Sequence, residues 1–85
     1  MRMIDSSAHT RFESALAAAD PVAALLDLAR ALKAEGASQN EMVRFYASKH
    51  GEHFDDPEDT IRNAIADAAD CVCGHAYPRI FDTVV

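Results

Sequence analysis

The stretch DPEDTIRNAIADAADCVCG, residues 56–74, decides the fold because it carries the complete sequence pattern of one amphipathic helix. Asp56 suits the N-cap, Pro57 the first helical position, and Gly74 the residue just beyond the C-terminus. Its apolar residues recur at intervals of three and four, which is the spacing of one face of an α-helix. The stretch therefore predicts a helix over 56–73, with an inward stripe of Ile61, Ala64, Ile65, Ala68 and Val72.

The same start and stop signals predict three further helices upstream, over 8–19, 21–35 and 38–50. An aspartate followed by proline opens one of them, serine or threonine followed three residues later by glutamate opens the others, and glycines follow the amphipathic runs. The residues that give these signals are Asp20, Pro21, Gly36 and Gly51, with the capping-box patterns Thr10–Glu13 and Ser38–Glu41.

The inward faces of these helices follow from the same periodicity. They are Phe12, Leu16 and Ala19 in the first helix, Val22, Leu25, Leu28, Ala29 and Leu32 in the second, and Met42, Val43, Phe45, Tyr46 and Ala47 in the third. Short connections place consecutive helices side by side. The sequence thus predicts a single all-α domain over 1–85, a compact four-helix bundle with short loops and an apolar C-terminal tail (80–85). That tail packs either on the bundle or on a partner.

The net charge of −6 comes from one region of the chain. Seven of the 14 acidic residues lie between Glu52 and Asp70 together with one base, Arg62, whereas the seven acids and seven bases elsewhere cancel. This charge disfavours non-specific binding to a phosphate backbone, so no direct contact with nucleic acid is expected.

Several features favour a cytoplasmic location. No segment approaches the ~20 apolar residues of a membrane span, and the N-terminal residues lack the apolar core of a secretory signal. Cys71 and Cys73 are separated by one residue and do not form a disulfide framework, which is typical of a reducing compartment.

An acidic face, formed by Asp56, Asp59, Asp67 and Asp70, occupies an arc of about 80° on the fourth helix, opposite the apolar stripe. Acids in the first turn complement the helix dipole, whereas Asp67 and Asp70 lie toward the end where the dipole disfavours anions. Such a surface suits a basic protein partner, since complementary charge speeds encounter and sets specificity, and neighbouring aromatic residues are candidate anchors. The predicted partner-binding residues are Glu52, His53, Phe54, Asp55, Asp56, Asp59, Asp67, Asp70 and Tyr77.

Other functions stay open at this point. No nucleophile stands with a base and an orienting acid at a recognisable spacing, so no enzyme activity is expected. Residues 32–42 resemble the beginning of a helix-turn-helix, but an acidic run follows them. The small core and the apolar tail are also compatible with a homodimer. A metal-binding or regulatory module is a further alternative, although paired zinc-binding cysteines are ordinarily further apart and neither a metal nor another cofactor is predicted. It would use His50, His53, Cys71, Cys73 and His75.

With four predicted helices and an acidic face, the chain resembles the small bacterial immunity proteins that neutralise toxin nucleases. In particular it resembles the colicin-type immunity proteins in the signals that open two helices, Ser38–Glu41 and Asp55-Asp56-Pro57. The family's Tyr-Tyr-Pro segment has no counterpart in place, since Ala76-Tyr77-Pro78 follows the last predicted helix. The resemblance implies stoichiometric inhibition of a basic toxin or nuclease. A phage-encoded inhibitor of a bacterial defence nuclease is the alternative.

Overall fold

Four α-helices account for most of the chain that the computed structural model describes, namely residues 6–53, 55 and 59–85. They are α1 (Ser6–Leu16), α2 (Pro21–Ala34), α3 (Gln39–Glu52) and α4 (Asp59–Cys73). No strand occurs within these residues, so the predicted all-α helical bundle is confirmed. None of the helices found there has the length and hydrophobicity that crossing a membrane requires.

Four helix ends form as the sequence predicts. The Asp20 carboxylate accepts a backbone N–H of the first turn of α2 at 3.2 Å, and Ser38 and Glu41 form the reciprocal capping box of α3. Gly36 and Gly74 have φ values of 105° and 87°, and the backbone N–H groups around each close the hydrogen bonds of a Schellman motif. These ends depend on residues within one turn of each other, which is why sequence alone locates them.

The first helix differs from the prediction at both ends. It begins at Ser6, so Thr10 lies inside α1 and is not its N-cap. It ends at Leu16 instead of residue 19, because backbone bonds from residue i+3 to residue i tighten the chain just beyond it. Asp20 must also leave the helical conformation in order to cap α2, and this limits how far α1 extends.

The end of α3 was also predicted too early. Gly51 lies inside the helix, which continues to Glu52, and the ion pair between Lys49 and Glu52 spans the glycine. A single glycine in a last turn costs only about 1 kcal/mol, so helix formation continues through it. The predicted N-cap of α4, Asp56, lies outside the described residues, and the helix itself is assigned from Asp59.

The predicted apolar stripes meet in one core. The Tyr46 hydroxyl donates a hydrogen bond to the Leu25 carbonyl at 2.6 Å and ties α3 to α2 within that core. Two residues predicted to face inward are exposed, because Ala19 lies beyond the end of α1 and the buried arc of α3 turns away from Ala47 toward Lys49. The largest fully buried side chains are Phe12, Leu25, Leu32, Met42, Tyr46, Ile65 and Val72.

The C-terminal tail packs on the bundle. Its Ile80 is buried and its backbone N–H donates to the Cys71 carbonyl at 3.2 Å, while the Val85 N–H donates to the Cys73 carbonyl at 2.9 Å. The Gln39 side chain at the start of α3 donates to the Val72 carbonyl at 3.0 Å and to the Thr83 carbonyl at 2.8 Å. These bonds satisfy carbonyls that the end of α4 leaves unpaired, and they place the start of α3 beside the end of α4.

Candidate partner-binding surface

Asp67 and Asp70 lie on the solvent side of α4, opposite the buried Ile65, Ala68 and Val72. Both side chains are exposed, and neither forms an ion pair with any residue of the described ranges. Asp70 falls in the last turn of α4, which contains no basic residue. The helix dipole disfavours an anion there by roughly 0.3–1 kcal/mol. The Asp67/Asp70 pair is therefore an exposed negative surface that the helix itself does not stabilise.

This negative charge also acts on the neighbouring cysteines. Burial raises the pKa of the Cys71 thiol, Asp70 and Asp67 raise it further, and the positive charge of Arg30 opposes them. Burial and Asp70 likewise raise the pKa of the Cys73 thiol. Because the thiolate is the reactive form, both free cysteines are poor nucleophiles near neutral pH.

The predicted partner-binding residues near the start of α4 are described only in part. Asp55 is exposed, and Asp59 is the first residue of the helix. Phe54 and Asp56 lie outside the described residues. The part of the acidic face whose side chains the structure places is therefore its Asp67/Asp70 end.

Glu52 and His53 have partners within the bundle. The buried Lys49 ammonium lies 3.5 Å from a Glu52 carboxylate oxygen and 3.6 Å from a Glu13 oxygen. His53 Nε2 lies 3.4 Å from the same Glu13 oxygen, and the imidazole is largely buried. The lysine also lies 5.8 Å from the Phe12 ring centroid, so this cluster joins α1 to the end of α3. The participation of Glu52 and His53 in partner binding stays a prediction.

Tyr77 is the most exposed of the large hydrophobic side chains described, with 80% of its surface accessible. It lies in the segment between α4 and the tail, and the Arg79 guanidinium lies over its ring with the Cζ atom 4.9 Å from the ring centroid. Aromatic residues are frequent anchors of interfaces, and the participation of Tyr77 in partner binding stays a prediction.

The five histidines and cysteines of the metal-binding alternative do not meet. Cys71 and Cys73 lie at the end of α4, beside Gln39 at the start of α3. His50 follows Gln39 by eleven residues of the same helix, which corresponds to roughly 16 Å, and His53 lies further along. His75 instead lies with its Nε2 2.9 Å from the Val85 carbonyl oxygen. Among the residues described, no three His, Cys, Asp or Glu side chains are grouped as metal ligands.

A basic cleft, which the sequence analysis did not identify, is lined by Arg30, Lys33, Ala34, Arg79 and Ile80 and has a volume of about 460 Å³. Arg30 and Lys33 are three residues apart and so share one side of α2, a spacing visible in the sequence. Arg79 joins them only through the path of the tail, which no local pattern reveals. Three of the chain's eight basic residues thus surround one opening.

The basic cleft adjoins the C-terminal turns of α4. Ile80 lines the cleft and donates its N–H to the Cys71 carbonyl. Asp70 directly precedes Cys71 in α4, so the turn that Ile80 contacts also carries an exposed acidic residue. The arrangement therefore presents positive and negative charge side by side, which is a pattern suited to binding a partner of complementary charge.

No known protein family, curated protein or solved structure matches this chain at a significant level. The resemblance to immunity proteins accordingly rests on features of the sequence alone.

Proposed function

We propose that this protein is a non-enzymatic inhibitor of the immunity type, which binds a basic partner, such as a toxin nuclease, through the acidic face. The observation that carries the proposal is the Asp67/Asp70 pair, whose carboxylates are exposed and form no ion pair with described residues, at the end of α4 that disfavours anions. A basic partner would supply the missing counter-charge. Complementary charge of this kind speeds association and selects the partner.

The surrounding chemistry supports binding over catalysis. The raised thiol pKa values leave Cys71 and Cys73 mainly protonated near neutral pH, so neither is an activated nucleophile. The proposed site of action is the cytoplasm, where two free cysteines remain reduced. An inhibitor that blocks a basic nuclease surface needs no reacting group of its own, only a rigid face of the correct charge.

The decisive experiment compares two double variants of equal net charge. Asp67→Asn with Asp70→Asn removes two negative charges from the acidic face, and Ser14→Lys with Ala18→Lys adds two positive charges at exposed positions at the end of α1 and just beyond it. Binding to a panel of purified basic toxin nucleases and bacterial defence nucleases is measured by calorimetry, and nuclease inhibition is measured in parallel. The panel separates the immunity role from the defence-inhibitor alternative.

For a nuclease that the unmodified protein inhibits, we expect the first double variant to raise the dissociation constant about tenfold, or ~1.4 kcal/mol for two carboxylates. It should also weaken the dependence of affinity on salt. The α1 double variant should change affinity much less, and both should fold, since these side chains are exposed. Equal affinities for the two variants, or a panel in which no nuclease binds, would contradict the proposal.

A further inference from the structure

The basic cleft is unexpected on a chain of net charge −6. We propose that Arg30, Lys33 and Arg79 form a carboxylate-binding site, which receives an aspartate or glutamate side chain of the same basic partner that contacts the acidic face. This inference rests on the proposed function for the identity of the partner. The ligand chemistry rests on the cleft alone.

The cations of the cleft are held in place by contacts that leave donors available. The Lys33 ammonium donates to the Ile80 carbonyl at 2.8 Å and lies 5.0 Å from the Phe81 ring centroid. An ammonium carries three N–H donors, so this one bond leaves two for a ligand. Fixing the side chain in advance lowers the conformational entropy that a ligand would otherwise cost it.

The two arginines retain donors in a similar way. Arg79 lies over the Tyr77 ring in a cation–π contact, and its guanidinium carries five N–H donors. Arg30 donates one N–H to Asp27 at 3.1 Å from a half-exposed position, and a guanidinium has five such donors. The planar fork of an arginine matches the two oxygens of a carboxylate.

The surroundings favour one carboxylate on a basic partner over a polyanion. The last turn of α4, which carries the exposed Asp70, adjoins the cleft through the hydrogen bond from Ile80 to the Cys71 carbonyl, so a nucleic acid or polyphosphate entering the cleft would meet unneutralised negative charge nearby. A basic protein surface that carries a single acid satisfies both regions, because its cations face Asp67 and Asp70 while its carboxylate enters the cleft. Ala34 and Ile80 supply an apolar wall against which the aliphatic part of a glutamate can pack.

The test uses the full chain, labelled with ¹⁵N, and two blocked tripeptides in which glycine flanks either a central glutamate or a central glutamine. Chemical-shift changes are followed in titrations with each peptide and, separately, with inorganic phosphate. The side-chain Nε–Hε signals of Arg30 and Arg79 and the backbone amide of Ile80 report on the cleft. The exposed Arg44 on α3 is the control for non-specific attraction of an anion to an arginine.

We expect the glutamate peptide alone to shift the cleft signals, and Arg30→Gln or Arg79→Gln to weaken its binding about threefold, the effect of losing one exposed charge pair. Arg44→Gln should leave the affinity unchanged. Equal responses to both peptides, shifts as large at Arg44 as in the cleft, or tighter binding of phosphate would overturn the proposal. No partner is present, so this outcome is independent of the test of Asp67 and Asp70.

Discussion

The replacement Tyr46→Phe isolates one buried hydrogen bond that holds α2 and α3 together. Tyr46 is fully buried, and its hydroxyl donates to the Leu25 carbonyl at 2.6 Å. Phenylalanine keeps the aromatic packing, in which the Tyr46 ring lies 5.2 Å from that of Phe12 and 5.8 Å from that of Phe45, edge to face. The variant therefore loses the hydroxyl and little else.

The expected loss is about 1 kcal/mol in the free energy of unfolding, the usual net value of one intramolecular hydrogen bond. The cost stays near this value because Leu25 lies inside α2, where its carbonyl also accepts the hydrogen bond of the helix itself. For a domain of this size, about 1 kcal/mol lowers the melting temperature by roughly 4–8 °C. The removed oxygen also leaves a small void, which acts in the same direction.

Thermal unfolding followed by circular dichroism measures this change. Tyr77→Phe is the matched control, since it removes the same atom from a side chain that is 80% exposed, and its effect should be within about 0.5 kcal/mol. If Tyr46→Phe and Tyr77→Phe melt together at the temperature of the unmodified protein, the Tyr46 hydroxyl is not a buried donor. The assigned packing of α3 against α2 would then be wrong.

Two further predictions concern stability. Gly74→Ala should destabilise the fold by about 1–3 kcal/mol, because residue 74 has φ 87° and an added Cβ would lie 2.5 Å from a backbone oxygen of the tail. Gly51→Ala should instead stabilise the fold by about 0.4–1 kcal/mol, since Gly51 lies in a helix with open space around it. Denaturant titration measures both changes in the free energy of unfolding. The fold should also lose stability as the pH rises from about 8, because burial raises the pKa of Cys71, Cys73 and Tyr46 in the folded state. The stabilising contribution of these groups is complete below their pKa values in the unfolded chain and is lost as the pH rises toward the folded-state values. Melting temperatures should therefore fall between pH 8 and 10.5. Unchanged melting temperatures would contradict the burial of these three side chains.

Both ends of α2, the start of α3 and the end of α4 could be predicted from sequence, because each depends on residues within about one turn of each other. The end of α1 could not, because the chain there must also prepare the cap of the following helix. The burial of Lys49 was missed for a related reason. A charged side chain is expected to be exposed. The buried Lys49 ammonium is compensated by two carboxylates, those of Glu13 on α1 and of Glu52 on α3, and the contact with Glu13 forms only when the helices pack.

The candidate partner-binding surface also has one part that the sequence predicts and one part that it does not. The helical periodicity of the fourth helix was enough to place Asp67 and Asp70 on its outer side, and the structure finds both exposed. The basic cleft, in contrast, is lined by Lys33 and Arg79, which are 46 positions apart in the chain. The spacing of Arg30 and Lys33 within α2 shows that these two side chains share one side of the helix. Arg79 lies beside them only because of the path that the chain takes after α4.

Local patterns in the sequence are enough to locate the four helices, most of their apolar stripes and the side of α4 that carries negative charge, because these properties follow from contacts within one or two turns of the chain. Which helix ends meet depends instead on tertiary packing. Antiparallel packing of α3 and α4 sets Gln39 beside Val72 and so separates His50 from Cys71. The tail then covers the end of α4 and brings Arg79 to α2. Such placements depend on how distant segments bury their apolar faces together, which no local pattern specifies.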